Sequence, residues 1–336
     1  AELFDAIVIG DGEEAVAEIS RMVASLKEIK LNRSGVIDEL GKIDGIYLPH
    51  RFRPDYDDQG HILSVDPLEG GPAFVRRRVL SDLDRLDHLH RPLVPNARIV
   101  HDRLTVEIAR GCTRGCRFCQ AGMTYRPVRE RSVEQVIELA EQGIDNSGFD
   151  EISLLSLSTG DYSCLPEVLP ELMHRFSSEK VSVAMPSMRV GTLTRELMDQ
   201  IRRVRKTGFT LAPEAGSERL QHTINKGISE RYLLQTAQQA DALVWNLIKL
   251  YFMIGLPTET REDIEAIADL VEKTAQAGEI SGRGRKKISV SVGTFVPKPH
   301  TPFQWEAQLT VDQSRELFVL LKSKLRRKCI TLKYHD

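Results

Sequence analysis

The chain of 336 residues carries 46 Lys and Arg against 48 Asp and Glu, and its formal net charge of -2 argues against a uniformly basic nucleic-acid binder. Its hydrophobic fraction of 41% is ample for a core, and no stretch approaches the roughly 18 uncharged apolar residues of a membrane span. Five cysteines are an odd count and too sparse for a disulfide-stapled secreted domain, which indicates a reducing, cytoplasmic location.

The first hundred residues differ in character from the rest. Residues 5–24 predict a strand, a glycine turn and a helix, whereas residues 35–103 predict short strands and polar connections. A single βα unit cannot close a Rossmann-like domain. We therefore expect residues 1–50 to be the C-terminal remnant of such a domain whose upstream part is missing here, and residues 51–100 to be a connecting segment.

Strand-like and helix-like segments alternate from residue 104 onwards. Short apolar segments rich in β-branched residues predict strands at 104–109, 150–157, 180–186, 207–212, 246–254 and 288–296. Amphipathic stretches predict helices at 132–143, with Ser132 as N-cap, and at 260–277. Six consecutive βα units predict a parallel sheet that curves into a partial (βα)6 barrel over residues 101–330, with a flat doubly wound sheet as the alternative.

Polar, Gly or Pro residues follow each of the six predicted strands. The corresponding loops begin near residues 110, 156, 186, 212, 255 and 297. Active sites of barrels assemble from the loops at the carboxyl ends of the strands. The six loops therefore predict one site on one rim.

Three cysteines follow the first predicted strand in a C-x3-C-x2-C spacing, at Cys112, Cys116 and Cys119. A tight loop with three thiolates suits a 4Fe-4S cluster and leaves one iron without a protein ligand. Structural zinc prefers four ligands, and His101 and His174 have no paired spacing to the triplet. A zinc-stabilised binding protein and an iron-sulfur electron carrier without further chemistry remain the alternatives.

The triplet, with the aromatic Phe118 before its last cysteine, resembles the signature of the radical S-adenosylmethionine (radical SAM) enzymes. The resemblance implies that the cysteines hold a 4Fe-4S cluster and that the amino and carboxylate groups of SAM chelate the open iron. It also implies reductive cleavage of SAM to methionine and a 5'-deoxyadenosyl radical. Phe118 would lie against the adenine, and a role as a core aromatic is the alternative.

The resemblance extends to the loops after the second and third strands. Gly160 and Asp161 resemble the Gly-Gly-Glu motif that holds the SAM amino group, although Asp replaces the usual Glu. Ser187 and Arg189 resemble residues that meet the SAM carboxylate or ribose. A guanidinium suits a carboxylate because its fork donates two parallel hydrogen bonds.

The loops after the fourth and fifth strands complete the implied SAM site. Glu214, with Gly216 and Ser217, resembles the motif that accepts hydrogen bonds from the ribose hydroxyls. Gly255 lies in a run that resembles the adenine-binding turn, where a glycine permits close approach of the backbone. Turn and packing roles are the alternatives for each residue, whereas their order and spacing together favour the SAM site.

Over residues 1–330 the chain is similar to the uncharacterised cobalamin-binding-like radical SAM proteins. The segments that carry this similarity are EIARGCTRGCRFCQAGM, LLSLSTGDYSC, APEAGSERL, YFMIGLPTET and FVPKPHTPFQWEA. The similarity implies that residues 1–50 derive from a cobalamin-binding-type domain and that the full-length protein is a candidate for cobalamin binding. It also implies a flavodoxin or ferredoxin type reductant and transfer of methyl or methylthio groups to RNA or protein.

Overall fold

The computed structural model describes residues 3–60, 62–86, 90–97, 99–186, 209–242, 247–278 and 287–334. The chain divides into two compact units, residues 1–86 and residues 87–336. Across the described ranges, no helix combines the length and apolar character needed to cross a bilayer. The functional division at residues 50 and 100 stays a prediction.

The first unit contains two helices and two small antiparallel pairs of strands. In chain order its elements are β1 (Ile7–Val8), α1 (Glu13–Glu28), α2 (Arg33–Leu40), β2 (Ile46–Tyr47), β3 (Phe52–Tyr56) and β4 (Ile62–Pro67). β1 pairs with β2, and β3 pairs with β4. The strand, turn and helix predicted for residues 5–24 are present. The origin of this unit in a cobalamin-binding-type domain stays a prediction.

Helix α2 corrects the interpretation of residues 35–103 as short strands and polar connections. The Asn32 side chain accepts a hydrogen bond from the backbone N–H of Gly35 at 2.8 Å and so caps the helix. Ile37 and Leu40 of this helix pack against the buried cluster of Ile43, Ile46 and Leu48. The helix was missed because it is only two turns long and contains a glycine.

The second unit contains the six strands predicted by the sequence, in two parallel sheets. The first sheet consists of β5 (Leu104–Glu107), β8 (Glu151–Leu155) and β9 (Ser182–Ala184). The second consists of β10 (Phe209–Glu214), β11 (Leu247–Ile254), β12 (Lys287–Thr294) and β13 (Ile330–Tyr334). A short antiparallel pair, β6 (Ala109–Arg110) and β7 (Arg129–Glu130), flanks the cysteine segment.

Strand order separates the two fold classes that the sequence left open. Within each sheet, neighbouring strands follow one another in chain order. A doubly wound sheet reverses its strand order at a switch point, which the described strands do not do. The order is that of a barrel wall, and β13 extends this wall beyond the six predicted strands.

Helices connect the strands and cover one face of each sheet. They are α3 (Gln120–Thr124), α4 (Val133–Ser147), α5 (Leu165–Phe176), α6 (Glu218–Thr223), α7 (Glu230–Ala242), α8 (Arg261–Ala277) and α9 (Val311–Lys324). Ser132 caps α4 as predicted, because its side chain accepts from Gln135 N–H at 3.3 Å. α9 begins with a capping box between Thr310 and Gln313.

Two hydrophobic cores hold the sheets to their helices. One contains the first sheet with α4 and α5, and the other contains the second sheet with α7, α8 and α9. Along β11 the buried residues are Ile248, Leu250, Phe252 and Ile254, whereas Lys249 and Tyr251 between them are exposed. One face of the second sheet therefore packs on helices, and its other face is open to polar chemistry.

Gly216 should be essential for the contact between the β10–α6 turn and helix α8. A Cβ atom at position 216 would lie 2.2 Å from the backbone nitrogen of Ile267, which cannot move without bending the helix. We expect Gly216→Ala to lower the free energy of unfolding by about 2 kcal/mol or more, measured by urea denaturation. Gly293→Ala is the control, because no heavy atom lies within 4 Å of its added carbon. Equal stability of the two variants would contradict the packing described here.

Candidate active site

One cavity of about 290 Å³ lies where the cysteine loop meets the carboxyl ends of β8, β9 and β10. The residues that line it are Cys112, Arg114, Cys116, Phe118, Cys119, Leu157, Ser158, Pro186, Thr210, Ala212, Glu214 and Lys226. They come from five separate segments of the second unit. Of the six loops that the sequence assigned to one site, those after the first four strands supply residues to this cavity, and those after the fifth and sixth supply none to its lining.

The cysteine loop, defined as residues 112–119, is bounded by two tight structural requirements. Gly111 has a φ of 92°, and a Cβ atom there would lie 2.6 Å from the carbonyl oxygen of Tyr125, so only glycine fits. At the other end, the Cys119 Sγ accepts a hydrogen bond from Gly122 N–H at 3.3 Å and caps α3. Cys116 is buried, and Cys112 and Cys119 are partly exposed.

The segment after α6 supports one side of the cysteine loop. The Asn225 side-chain amide donates to the carbonyl oxygen of Gly115 at 2.9 Å. The backbone N–H of Arg117 donates to Ile224 O at 3.0 Å, and the Arg117 guanidinium donates to Thr223 O at 2.6 Å. These bonds tie an irregular loop to the end of a helix and fix its backbone.

An ion pair between Arg114 and Asp161 supports the other side of the loop. The Arg114 Nε donates to Asp161 Oδ2 at 2.7 Å, and Nη2 donates to Oδ1. Ser158 Oγ donates to the same carboxylate at 2.6 Å. The bonds to Asp161 raise the pKa of Arg114, and the nearby Cys112 and Cys116 sulfurs raise it further. Asp161 is thus held by Arg114, and neither it nor Gly160 lines the cavity.

Glu214 and Lys226 form a second ion pair at the cavity wall. Lys226 Nζ lies 3.1 Å from Glu214 Oε1, and each side chain is only 15% exposed. Burial raises the pKa of Glu214, although the ammonium of Lys226 opposes the shift. Lys226 Nζ also lies 5.8 Å from the centroid of the Phe118 ring, within the range of a cation–π contact.

Gly255 lies at the end of β11, outside the lining of the cavity. Its φ is 78°, and its N–H donates to Glu259 Oε2 at 2.5 Å. Burial raises the pKa of Glu259 to about 7, while the bond from Gly255 lowers it. The other carboxylate oxygen of Glu259 is buried without a hydrogen-bond partner among the described residues. The backbone amide of Gly255, in the run that resembles an adenine-binding turn, is therefore bonded to a side chain of the same turn.

The structure brings together half of the ten residues that the sequence assigned to the site. Those that line the cavity are Cys112, Cys116, Cys119, Phe118 and Glu214. Gly160, Asp161 and Gly255 lie outside its lining, whereas Ser187 and Arg189 lie outside the described residues. Among the described residues, no three His, Cys, Asp or Glu side chains are arranged to hold a metal ion. The assigned roles of all ten residues stay predictions.

Sequence reasoning missed Arg114, Lys226 and Glu259. Arg114 stands between two predicted ligands, and that position was a usable signal. Lys226 follows the turn residue Asn225, which has a φ of 55°, but nothing in the local pattern places it beside Glu214. Glu259 is one acid in a polar loop, and only the fold shows that it is buried.

Two family profiles match the chain. The profile of the Radical SAM superfamily matches residues 106–271, and that of Radical SAM proteins, N-terminal, matches residues 1–49. An uncharacterized protein of Methanocaldococcus jannaschii is 36% identical over 231 residues, which are 69% of this chain and 48% of that protein. The chain belongs to the radical SAM superfamily.

A further relative and a solved structure agree with this assignment. The ribosomal protein uS12 methylthiotransferase RimO of Caldanaerobacter subterraneus subsp. tengcongensis is 23% identical over 179 residues, 50% of this chain and 40% of that protein. The chain thus spans about half or less of the length of these relatives. The radical SAM methyltransferase TsrM of Kitasatospora setae, with cobalamin and a [4Fe-4S] cluster bound, superposes with a TM-score of 0.58 at 13% identity. The matched region covers 90% of this chain and 55% of TsrM. The fold is that of the partial barrel of this superfamily.

Glu259 should make the stability of the protein depend on pH near neutrality. Its folded pKa of about 7 lies above that of an unfolded glutamate, so the folded state binds the proton more tightly. This contribution to stability is present at low pH and is lost as the pH rises through 7. We expect the wild type to lose about 1 kcal/mol of unfolding free energy relative to Glu259→Gln between pH 6 and pH 8.

Urea denaturation at the two pH values measures this difference. Glu262→Gln is the matched control, because Glu262 is an exposed carboxylate three positions along the same segment. The control should follow the wild type. A constant difference between wild type and Glu259→Gln at both pH values would show that Glu259 does not titrate near pH 7 and would contradict the raised pKa.

Proposed function

We propose that this chain is the catalytic core of a radical SAM enzyme that binds a 4Fe-4S cluster at Cys112, Cys116 and Cys119 and SAM in the adjoining cavity. The observation that carries the proposal is the convergence of the three thiols on one cavity. Among the described residues that line it, no histidine and no further cysteine is present. Three thiolates and no fourth ligand suit a cluster with one open iron.

The chemistry of the cavity fits these two groups. Soft thiolate ligands on a single tight loop suit an iron-sulfur cluster. The cavity also offers an aromatic face at Phe118 and the carboxylate of Glu214, which suit an adenine ring and ribose hydroxyls respectively. Ser158 brings a hydroxyl from the loop that the sequence assigned to the SAM amino group. These contacts support SAM rather than a bare cluster as the occupant.

When bound, the reduced cluster and SAM supply a 5'-deoxyadenosyl radical. The residues of this chain position the reactants and set the charge around them. Arg114 and Lys226 place two cations at the cavity, and their carboxylate partners hold them there. An external one-electron donor of the flavodoxin or ferredoxin type completes the proposal, in the reducing cytoplasm that suits three thiolates.

We further propose transfer of a methyl or methylthio group to RNA or protein. The support is the similarity to the methylthiotransferase RimO, whose name gives a ribosomal protein as its substrate. Cobalamin is a further candidate cofactor, since TsrM carries cobalamin on a similar fold. The experiment that tests reductive cleavage of SAM is anaerobic reconstitution followed by incubation with dithionite and SAM. Release of 5'-deoxyadenosine supports this cleavage, and its absence from a fully iron-loaded protein contradicts it.

Replacing any one of Cys112, Cys116 and Cys119 by Ala should abolish the cluster, because two thiolates cannot hold it. The measurement is iron and sulfide analysis, with the absorbance of the brown protein near 400 nm, after anaerobic reconstitution.

Cys329→Ala is the matched control, since Cys329 lies just before β13 and away from the cavity lining. It should retain the full iron content. Full loading of Cys116→Ala would overturn the ligand assignment, and stoichiometric zinc in place of iron would favour the alternative of a zinc-stabilised binding protein.

Arg114 should raise the reduction potential of the cluster, because a cation near it stabilises the more negative reduced form. Arg114→Gln should therefore lower the midpoint potential by tens of millivolts, since the guanidinium is partly exposed and screened. Potentiometry monitored by electron paramagnetic resonance measures the shift. Arg114→Lys, which keeps the charge, should stay near the wild-type value. Identical midpoint potentials for Arg114→Gln and the wild type would show that the charge of Arg114 does not act on the cluster.

A further inference from the structure

The open face of the second sheet carries a row of polar side chains on neighbouring strands. In the parallel register Thr210, Lys249, Ser289 and Thr331 lie side by side across four strands. The next row along contains Tyr251, Ser291 and Lys333. Residues two apart along a strand point to the same face, so both rows belong to one surface, here called the inner face.

The inner face is continuous with the cavity that holds the cysteines. Thr210 of β10 lines that cavity, as do Ala212 and Glu214 beyond the register shift that follows Leu211. Thr210 is also the register partner of Lys249 on β11. A molecule that lies on the inner face is therefore adjacent to the proposed reaction site.

The three largest polar side chains of the inner face are accessible to solvent. Lys249, Tyr251 and Lys333 are exposed, with 43% of Tyr251 accessible to solvent. Within the part of the chain that the structure describes, these three side chains make no hydrogen bond or ion pair. The opposite face of the same strands packs on the helices, since Ile330 and Leu332 contact the core and Tyr334 stacks on Phe318.

The charge of the inner face has one sign. Its two lysines lie two strands apart, a lateral distance of about 10 Å. The described residues of the two rows include no carboxylate. Glu214 lies beyond the register shift in β10, opposite the buried Phe252, and is paired with Lys226. Lys249 lies two residues from Tyr251 along β11, Lys333 lies two strands across from it, and neither ammonium has a carboxylate partner among the described residues. Two such cations beside an accessible aromatic ring attract a polyanion that also has flat apolar groups.

We propose that the inner face of the second sheet binds a single-stranded RNA segment, with a base stacked on Tyr251 and phosphates contacted by Lys249 and Lys333. The inference rests on the proposed function, whose substrate class it narrows to RNA. An acidic protein segment has carboxylates that could pair with the two lysines. Its acidic residues carry no planar ring, however, so they would not stack on Tyr251. The serine and threonine hydroxyls of the two rows complete the surface with hydrogen bonds to phosphate or ribose oxygens.

Fluorescence anisotropy of a short fluorescein-labelled single-stranded RNA, titrated with the reconstituted chain at several KCl concentrations, tests this inference. Lys249→Gln and Lys333→Gln should each weaken binding by about fivefold and reduce the slope of log affinity against log salt by about 0.7, the value for one phosphate contact. Tyr251→Leu should weaken binding by about tenfold with little change in that slope.

Lys322→Gln is the matched control, because it removes the same charge from an exposed position on α9. It should bind RNA as the wild type does, and circular dichroism should show all variants folded. Wild-type affinity in the three inner-face variants would overturn the inference. A polyglutamate peptide that binds with the same lysine dependence, while Tyr251→Leu has no effect, would also overturn it in favour of an acidic protein partner.

Iron analysis of the same samples separates this inference from the proposed function. If the chain holds the cluster but binds no RNA, the RNA-binding proposal is wrong and the proposed function stands. If the chain binds RNA through these residues but assembles no cluster, the proposed cluster chemistry is wrong and the RNA-binding proposal stands.

Discussion

The conformation of the cysteine loop is the constraint on which the rest of the site depends. Eight residues without regular secondary structure must direct three thiols at one cavity, and a free loop of that length would sample many conformations. Gly111 permits the chain to pass close to the backbone of Tyr125, Asn225 and the end of α6 bind one flank of the loop, and Asp161 binds the other through Arg114. Loops after three different strands therefore cooperate to fix one loop, and the barrel is what brings those loops together.

Paired charges give the cavity its electrostatic character. Arg114 pairs with Asp161 and Lys226 pairs with Glu214, so each cation at the cavity is oriented by a carboxylate. A low exposure of 15% for both members makes the second pair the more sensitive to loss of one partner, since an unpaired buried charge is costly. The Asp161 carboxylate is already bonded to a side chain of the protein itself, Arg114. In this arrangement Asp161 orients the cysteine loop, a role that its sequence motif alone did not indicate.

The sequence predicted the six barrel strands and the cysteine loop because both depend on local patterns. Runs such as ISVSVGTFV are rich in β-branched residues, and the cysteine spacing is a local signal of ligand type. It did not predict α2, which is short and contains Gly35, or β13, whose five residues follow a basic segment. The partners of Asp161 and Glu214 were also beyond its reach, because Lys226 and Arg114 meet those carboxylates only through tertiary folding. Buried acids such as Glu259 illustrate the same limit, since burial is a property of the fold.

The electron paramagnetic resonance spectrum of the reduced, reconstituted protein with and without SAM most directly tests whether SAM binds a cluster held by the cysteine loop. Binding of SAM to an open iron alters the electronic structure of the cluster, so we expect a clear change in the spectrum when SAM is added. An unchanged spectrum from a protein with a full complement of iron would contradict it, and would identify the cysteine loop as part of an electron-transfer site without SAM chemistry.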